Sequence, residues 1–253
     1  MKETRKKALV IPDIHQNHDF LDGVFHSEDP DAFDQIIFLG DLFDSKEAGY
    51  VSTDSLQRCF KKLEWLFGNV GQQKIHYLLG NHDAVYYFKW KNVEEPNFPH
   101  GSCVNYYGHP RVDEDTLETF FCFDDFWRSI RMVTMFDGYL ISHAGFSPEH
   151  WSLKMSVHEN INALNDCLDH PTDEHGDLLP VFRAGYARGG DLKTGGPLWM
   201  DWNKEFKDEL PFPQIVGHTI DRTWRKSGKS YCLDGRQSCY ATIEDGVVYP
   251  KEL

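Results

Sequence analysis

Short apolar runs recur along the chain, and each breaks off at a cluster of polar residues: "ALVIPDIH", "QIIFLGD", "KIHYLLGNHD", "GYLISHAG" and "QIVGHT". Runs that are apolar throughout, without alternation, mark strands buried on both faces, as in a sheet covered by helices or by a second sheet. "FLDGVFHSEDPDAF" separates the first two runs and "STDSLQRCFKKLEWLFGNVGQQ" the second and third; in the latter, Leu56, Phe60, Leu63 and Phe67 recur at helical spacing. This order predicts β-α-β-α-β with right-handed crossovers. Toward the C-terminus, "KSYCLDG" and "SCYATIEDGVVYP" predict a meander turning at Asp245-Gly246.

Two stretches interrupt the pattern. Residues 84–135 are rich in aromatics, and residues 146–197 contain a predicted helix near 152–168 followed by the turn-rich "HPTDEHGDLLP". Both leave from strand ends that carry polar residues, so they are expected to form a cap or walls over those ends. No repeat or low-complexity tract is present.

The 253 residues are 40% hydrophobic and 14% aromatic, enough for a sizeable core in one large domain or one domain with a lobe. With 26 basic against 40 acidic side chains the formal charge is −14, so bulk electrostatics does not draw the chain to nucleic acid or anionic lipid. The six cysteines include no Cys-x-x-Cys pair and read as reduced thiols in a cytoplasm, although Cys232 and Cys239 flank the turn "LDGRQS". The basic start "MKETRKKALV" leads into only a short apolar run before Pro12, and no later run approaches membrane-spanning length. The expectation is a soluble, cytoplasmic protein without a targeting segment.

In α/β sheets, ligands bind beyond the carboxyl ends of the strands. Here the five runs deliver metal-competent side chains at that end: Asp13 and His15; Asp41 and Asp44; Asn81, His82 and Asp83; His143; His218. Oxygen and imidazole donors without thiolates suit manganese, iron, zinc or nickel. Asp41 and Asp44 lie three apart across one turn, and their repulsion calls for a cation, a shared proton or water.

In this order the clusters resemble the motifs of the calcineurin-like metallophosphoesterases. Asp13-Ile14-His15 matches D-x-H, Gly40 to Asp44 matches G-D-x-x-D, Gly80-Asn81-His82-Asp83 matches G-N-H-[DE], His143-Ala144-Gly145 matches H-[AG]-G, and Gly217-His218-Thr219 matches G-H-T. The resemblance runs from about Ala8 to Val248. It is nearest to the serine/threonine phosphatase and diadenosine tetraphosphatase branch, because Ile220 stands where a G-H-x-H motif has its second histidine.

The resemblance implies a metallophosphoesterase-type α/β fold over residues 1–253, a β-sandwich flanked by helices (αββα), with 84–135 and 146–197 shaping the substrate pocket. It implies two divalent ions, manganese foremost. Asp13, His15 and Asp41 would hold one, and Asp41, Asn81, His143 and His218 the other, with Asp41 bridging. It further implies hydrolysis of a phosphomonoester by attack of a dimetal-bound hydroxide, with His82 as general acid on the leaving oxygen and Asp44 holding its other ring nitrogen. The substrate would be a phosphorylated small molecule, a nucleotide or a phosphoprotein. A phosphodiesterase or nucleoside polyphosphate (dinucleotide) hydrolase is the alternative, and a non-catalytic, metal-stabilised scaffold the alternative of another class. A nuclease is disfavoured by the acidic charge.

Three departures bear on the substrate. Ser45 follows the G-D-x-x-D acid where the phosphatase branch has a phosphate-gripping arginine, Asp201 in "PLWMDW" stands where L-W-x-R has another, and Gln16 replaces the glycine of D-x-H-G. Arg183 and Arg188, in the glycine-rich "FRAGYARGGDLKTGG", are the candidate substitutes for binding substrate. A surface loop whose arginines meet acids of this acidic chain is the competing reading. Tyr86, Tyr87, Trp90, Tyr106 and Tyr107 could stack on a nucleobase, but the core of a small helical lobe is the simpler reading.

Overall fold

The computed structural model describes residues 6–44, 53–93, 112 and 114–253. The apolar runs become strands. In chain order these are β1 (Lys7–Ile11), β2 (Gln35–Phe38), β3 (Ile75–Leu78), β4 (Ile130–Arg131), β5 (Val133–Phe136) and β6 (Tyr139–Ser142). Then come β7 (Gln214–Val216), β8 (Arg225–Ser227), β9 (Ser230–Cys232), β10 (Cys239–Glu244) and β11 (Val247–Glu252). The described helices are α1 (His18–Ser27), α2 (Thr53–Leu66), α3 (Ala84–Trp90), α4 (Glu114–Phe121), α5 (Asp124–Ser129) and α6 (Val157–Asp166).

One sheet has the order β11-β10-β1-β2-β3-β4 and the other β5-β6-β7-β9-β8. The strands β1, β2 and β3 are parallel neighbours, with Leu9 opposite Ile36 and Ile36 opposite Ile75. Helices α1 and α2 make the crossovers, as the spacing of Leu56, Phe60 and Leu63 predicts; all three are buried. Asn17 starts α1 by accepting a hydrogen bond from Phe20 N at 3.0 Å, satisfying one of the free donors of the first turn.

The period-2 geometry of a strand explains why these runs do not alternate. In β1, Leu9 and Ile11 join a cluster with Phe20, Leu21, Leu56 and Leu63 of the helices. Ala8 and Val10 point the other way, into a cluster with Ile37, Leu39, Ile141 and Ile215 from both sheets. Each face is therefore dry, and burying a Leu, Ile or Val side chain contributes about 1.5–3 kcal/mol.

The aromatics of α3, α4 and α5 belong to this core. Phe43 stacks on Tyr86 at 4.3 Å and on Trp127 at 5.7 Å, and Phe60 on Phe120 at 4.0 Å. Tyr86 and Tyr87 are buried, whereas Tyr106 and Tyr107 lie outside the described residues.

The C-terminal meander is divided between the sheets. Segment β9 pairs with β8 and β7, while β10 pairs with β1 and β11. The intervening "LDGRQS" carries the chain across the sandwich, with Arg236 and Gln237 both left-handed (φ 56° and 55°). Asp245 and Gly246 do form a hairpin turn, with φ of 49° and 76°, as a two-residue turn between twisted strands requires. Cys232 and Cys239 are both free thiols, as are Cys59, Cys122 and Cys167. Among the described residues, no helix is long and apolar enough to cross a membrane.

Candidate metal centre

The loops that leave β1 and β2 are bonded to each other before any side chain is considered. Ile14 N and His15 N donate to Asp41 O at 3.1 and 2.7 Å, and Gln16 N to Leu42 O at 2.9 Å. This pairing holds His15, Gln16, Asp41 and Asp44 in the left-handed region, with φ of 47°, 62°, 53° and 58°; His218 on the β7 loop joins them at 65°. Such conformations cost about 1–3 kcal/mol each and persist where the surroundings over-determine them, typically at functional sites. Gly80 and Gly217 are required by close approach: a Cβ on Gly80 would collide with Asp41 Oδ1, and one on Gly217 with Asp13 Oδ1.

These loops bring Asp13, His15, Asp41, Asn81, His143 and His218 together, all of them buried. His143 Nε2 lies 3.0 Å from Asn81 Oδ1, 3.2 Å from His218 Nδ1 and 3.5 Å from Asp41 Oδ2. His218 Nδ1 is 2.8 Å from Asn81 Oδ1. On the other side of Asp41, His15 Nε2 lies 3.5 Å from the same Oδ2 and 3.8 Å from Asp13 Oδ2. Donors bound at about 2.1 Å to one ion stand about 3.0–3.4 Å apart in octahedral or tetrahedral arrangements. The donor set therefore fits divalent cations, and its two buried carboxylates need positive charge. Two groups of three donors, each mutually within 4.8 Å, share Asp41: His15, Asp41 and His82, and Asp41, His143 and His218.

The ring tautomers are set from outside. His143 Nδ1 is 2.7 Å from the Leu39 carbonyl and His15 Nδ1 is 2.7 Å from the Asp44 carbonyl. In each ring the N–H must donate there, which leaves Nε2 as a lone pair facing the cluster, the usual arrangement for a metal-ligating histidine.

His82 stands at the edge. Its backbone N–H donates to Asp41 Oδ1 at 2.9 Å, and its Nδ1 is 3.5 Å from Asp44 Oδ2. Its side chain is 12% exposed, against 2% or less for His15 and His143. Tyr86 O–H donates to Asp44 Oδ1 at 2.7 Å, fixing the carboxylate that faces the ring. That role of Tyr86 has no sequence signal beyond its place next to the third motif.

Asp83 is the residue whose direction the sequence does not reveal. It turns away from the cluster into the G-D-x-x-D loop, where Oδ2 accepts from Asp41 N, Gly80 N and Tyr77 O–H at 2.7, 3.2 and 3.1 Å. Its Oδ1 accepts from Leu42 N and Phe43 N at 2.8 and 3.2 Å. Burial, and then the charge of Asp41, push its carboxyl up to about 7. Burial, and then the charge of Asp83, raise the Tyr77 phenol well above its usual value, so it stays a donor. Because both carboxylate oxygens face donors, either orientation of an amide points its NH2 at an N–H. Asp83→Asn is expected to lower stability by about 2–4 kcal/mol, read from the midpoint of urea unfolding of the metal-free protein. An unchanged midpoint would show that the loop does not depend on this cradle.

Of the two candidate arginines, Arg183 forms an ion pair with Asp191. Arg188 lies with Nε 3.0 Å from Asp201 Oδ2 and Nη2 3.0 Å from Thr219 Oγ1. Ser45 lies outside the described residues.

The model of the calcineurin-like phosphoesterase family matches residues 6–222; this chain belongs to that family. The cold-active protein-tyrosine phosphatase of a psychrophilic Shewanella species superposes with a TM-score of 0.60 at 16% identity, over 97% of this chain and 80% of that one. A protein serine/threonine phosphatase from Saccharomyces cerevisiae gives 0.49 at 15% identity, over 98% and 80% of the two chains. A protein assigned as a diadenosine tetraphosphatase gives 0.48 at 14% identity, over 100% and 96%. No curated protein sequence matches the chain.

Proposed function

We propose that this chain is a metal-dependent phosphatase that hydrolyses a phosphomonoester, using two divalent ions, manganese first among them. The observation that carries this reading is the sharing of Asp41 between two groups of donors, His15, Asp41 and His82 on one side and Asp41, His143 and His218 on the other, of which His82 is the partly exposed member. When bound, divalent cations supply an acidified water and offset the charge of the phosphoryl oxygens. Asp13, His15 and Asp41 would hold one ion and Asp41, Asn81, His143 and His218 the other.

The chain's own residues supply the remainder. Asp44, fixed by Tyr86, faces His82 Nδ1 and favours the imidazolium form. The opposite ring nitrogen is then a proton donor for the leaving oxygen. Backbone bonding between the two loops preorganises the donors, so little reorganisation is needed on binding.

The test is an assay panel in Mn²⁺ comparing p-nitrophenyl phosphate, its bis ester, a phosphopeptide and a dinucleoside polyphosphate. Turnover of the monoester above the bis ester, lost on chelation, supports the proposal. Preference for the bis ester or the dinucleotide would replace it with the phosphodiesterase or polyphosphate reading. Absence of metal-dependent turnover across the panel would favour a scaffold.

A further inference from the structure

Asp201, which stands where the L-W-x-R motif has its arginine, meets an arginine from elsewhere in the fold. Asp201 pairs with Arg188, whose Nε is 3.0 Å from Asp201 Oδ2. Arg188 comes from a different loop, at the end of a 3₁₀ turn (Tyr186–Arg188) closed by Gly189 in the left-handed conformation at φ 77°. Its Nη2 donates to Oγ1 of Thr219, the residue immediately after His218. The ring of Trp199, two residues before Asp201, stands edge-on to the His218 ring with centroids 5.9 Å apart. The Asp201 region and Arg188 thus converge at the His218 side of the donor cluster.

The arrangement is braced. Glu205 accepts hydrogen bonds from Ala187 N, Gly195 N and Asp201 N, each at 3.1 Å, so one carboxylate ties the arginine's loop to its anchor. Asp201 Oδ1 is occupied by Asn203 N and Lys204 N at 2.9 and 3.0 Å, which directs Oδ2 to Arg188. Thr219 thereby engages Nη2 by a hydrogen bond, Asp201 faces Nε as an ion pair without a hydrogen bond, and Nη1 has no partner among the described residues. The side chain is 29% exposed, so a ligand can reach it. Arg183 differs in what it is tied to: its Nη2 pairs with Asp191, whereas Arg188 is bonded to the residue beside His218.

We propose that Arg188, aimed by Asp201 and Thr219, grips a non-bridging oxygen of the substrate phosphoryl group and replaces the arginine absent at 201. This rests on the phosphoesterase reading and sharpens it. A monoester dianion presents three non-bridging oxygens and a diester two, so a further cationic donor beside the metal ligands selects a terminal phosphate. The fixed planar fork of arginine suits that contact better than a lysine point charge.

The test uses the manganese-loaded protein, with calorimetric binding of inorganic phosphate and with kinetics on p-nitrophenyl phosphate. Arg188→Ala and Arg188→Gln are each expected to weaken phosphate binding and raise KM by about 10- to 100-fold, with a smaller change in kcat and unchanged metal content. Arg188→Lys should recover part of the loss, and Arg128→Ala, which removes an exposed charge paired with Asp124, should match wild type. Phosphate binding that survives both Arg188→Ala and Arg188→Gln overturns the assignment, as does a loss produced by Arg183→Ala instead. Wild-type protein that turns over no phosphate ester and binds no phosphate defeats the phosphoesterase reading and Arg188 with it. Active wild type with indifferent Arg188 variants defeats Arg188 alone.

Discussion

Asp41→Asn should remove metal-dependent hydrolysis almost entirely, by at least about 10³-fold, since the several kcal/mol attributed to metal-ion catalysis correspond to several decades at about 1.4 kcal/mol each. Asp41 Oδ2 stands 3.5 Å from His15 Nε2 and 3.5 Å from His143 Nε2, so one atom serves both groups of donors. Its other oxygen accepts from His82 N. An amide keeps the shape but loses the charge that two cations would share, leaving Asp13 as the only carboxylate of the proposed ligand set. The variant should carry less metal by elemental analysis. It should also lose the rise in Tm that saturating Mn²⁺ gives wild type, where ligand at 100 times Kd stabilises by about 2.7 kcal/mol. Full metal content together with wild-type turnover would remove Asp41 from the centre of the mechanism.

The sequence revealed most where an element ends abruptly. The runs that became β1, β2, β3, β6 and β7 are apolar on both faces because the two sheets cover each other, helices cover the outer side of β1 to β3, and the segment carrying Met200, Trp202 and Phe206 covers Val216 of β7; their polar ends are where the candidate ligands meet. Direction was not legible. Asp83 follows Asn81 and His82 and looks like another ligand, yet it turns under the loop, because the backbone N–H groups of residues 41–43 need an acceptor. Strand-to-sheet assignment was equally hidden: β9 and β10 are seven residues apart from Cys232 to Cys239 and carry similar apolar patterns, and only tertiary packing sends them to different sheets. The pairing of Arg188 with Asp201 spans two loops. Each residue is conspicuous alone, but no periodicity links them.

Replacing His82 by Asn should separate metal binding from proton donation. The backbone N–H that donates to Asp41 Oδ1 survives the substitution, so the donor cluster keeps its shape and metal content should stay at the wild-type level. The imidazole opposite Asp44 is lost. On an alkyl phosphate, whose leaving oxygen needs a proton as the ester bond breaks, the rate should fall by roughly 10²–10⁴-fold. On p-nitrophenyl phosphate, whose leaving group departs as a stable anion, the fall should be much smaller. The geometry also allows the opposite result, because His82 lies with His15 and Asp41 in one of the two groups of donors. If His82 serves as a ligand there, His82→Asn will lose metal and slow both esters alike. Its greater exposure than His15 or His143 favours the proton donor, whereas the facing Asp44 serves either role, since a carboxylate at Nδ1 also orients the ring of a ligating histidine. The ratio of the two rate losses, measured with metal content, decides between the roles.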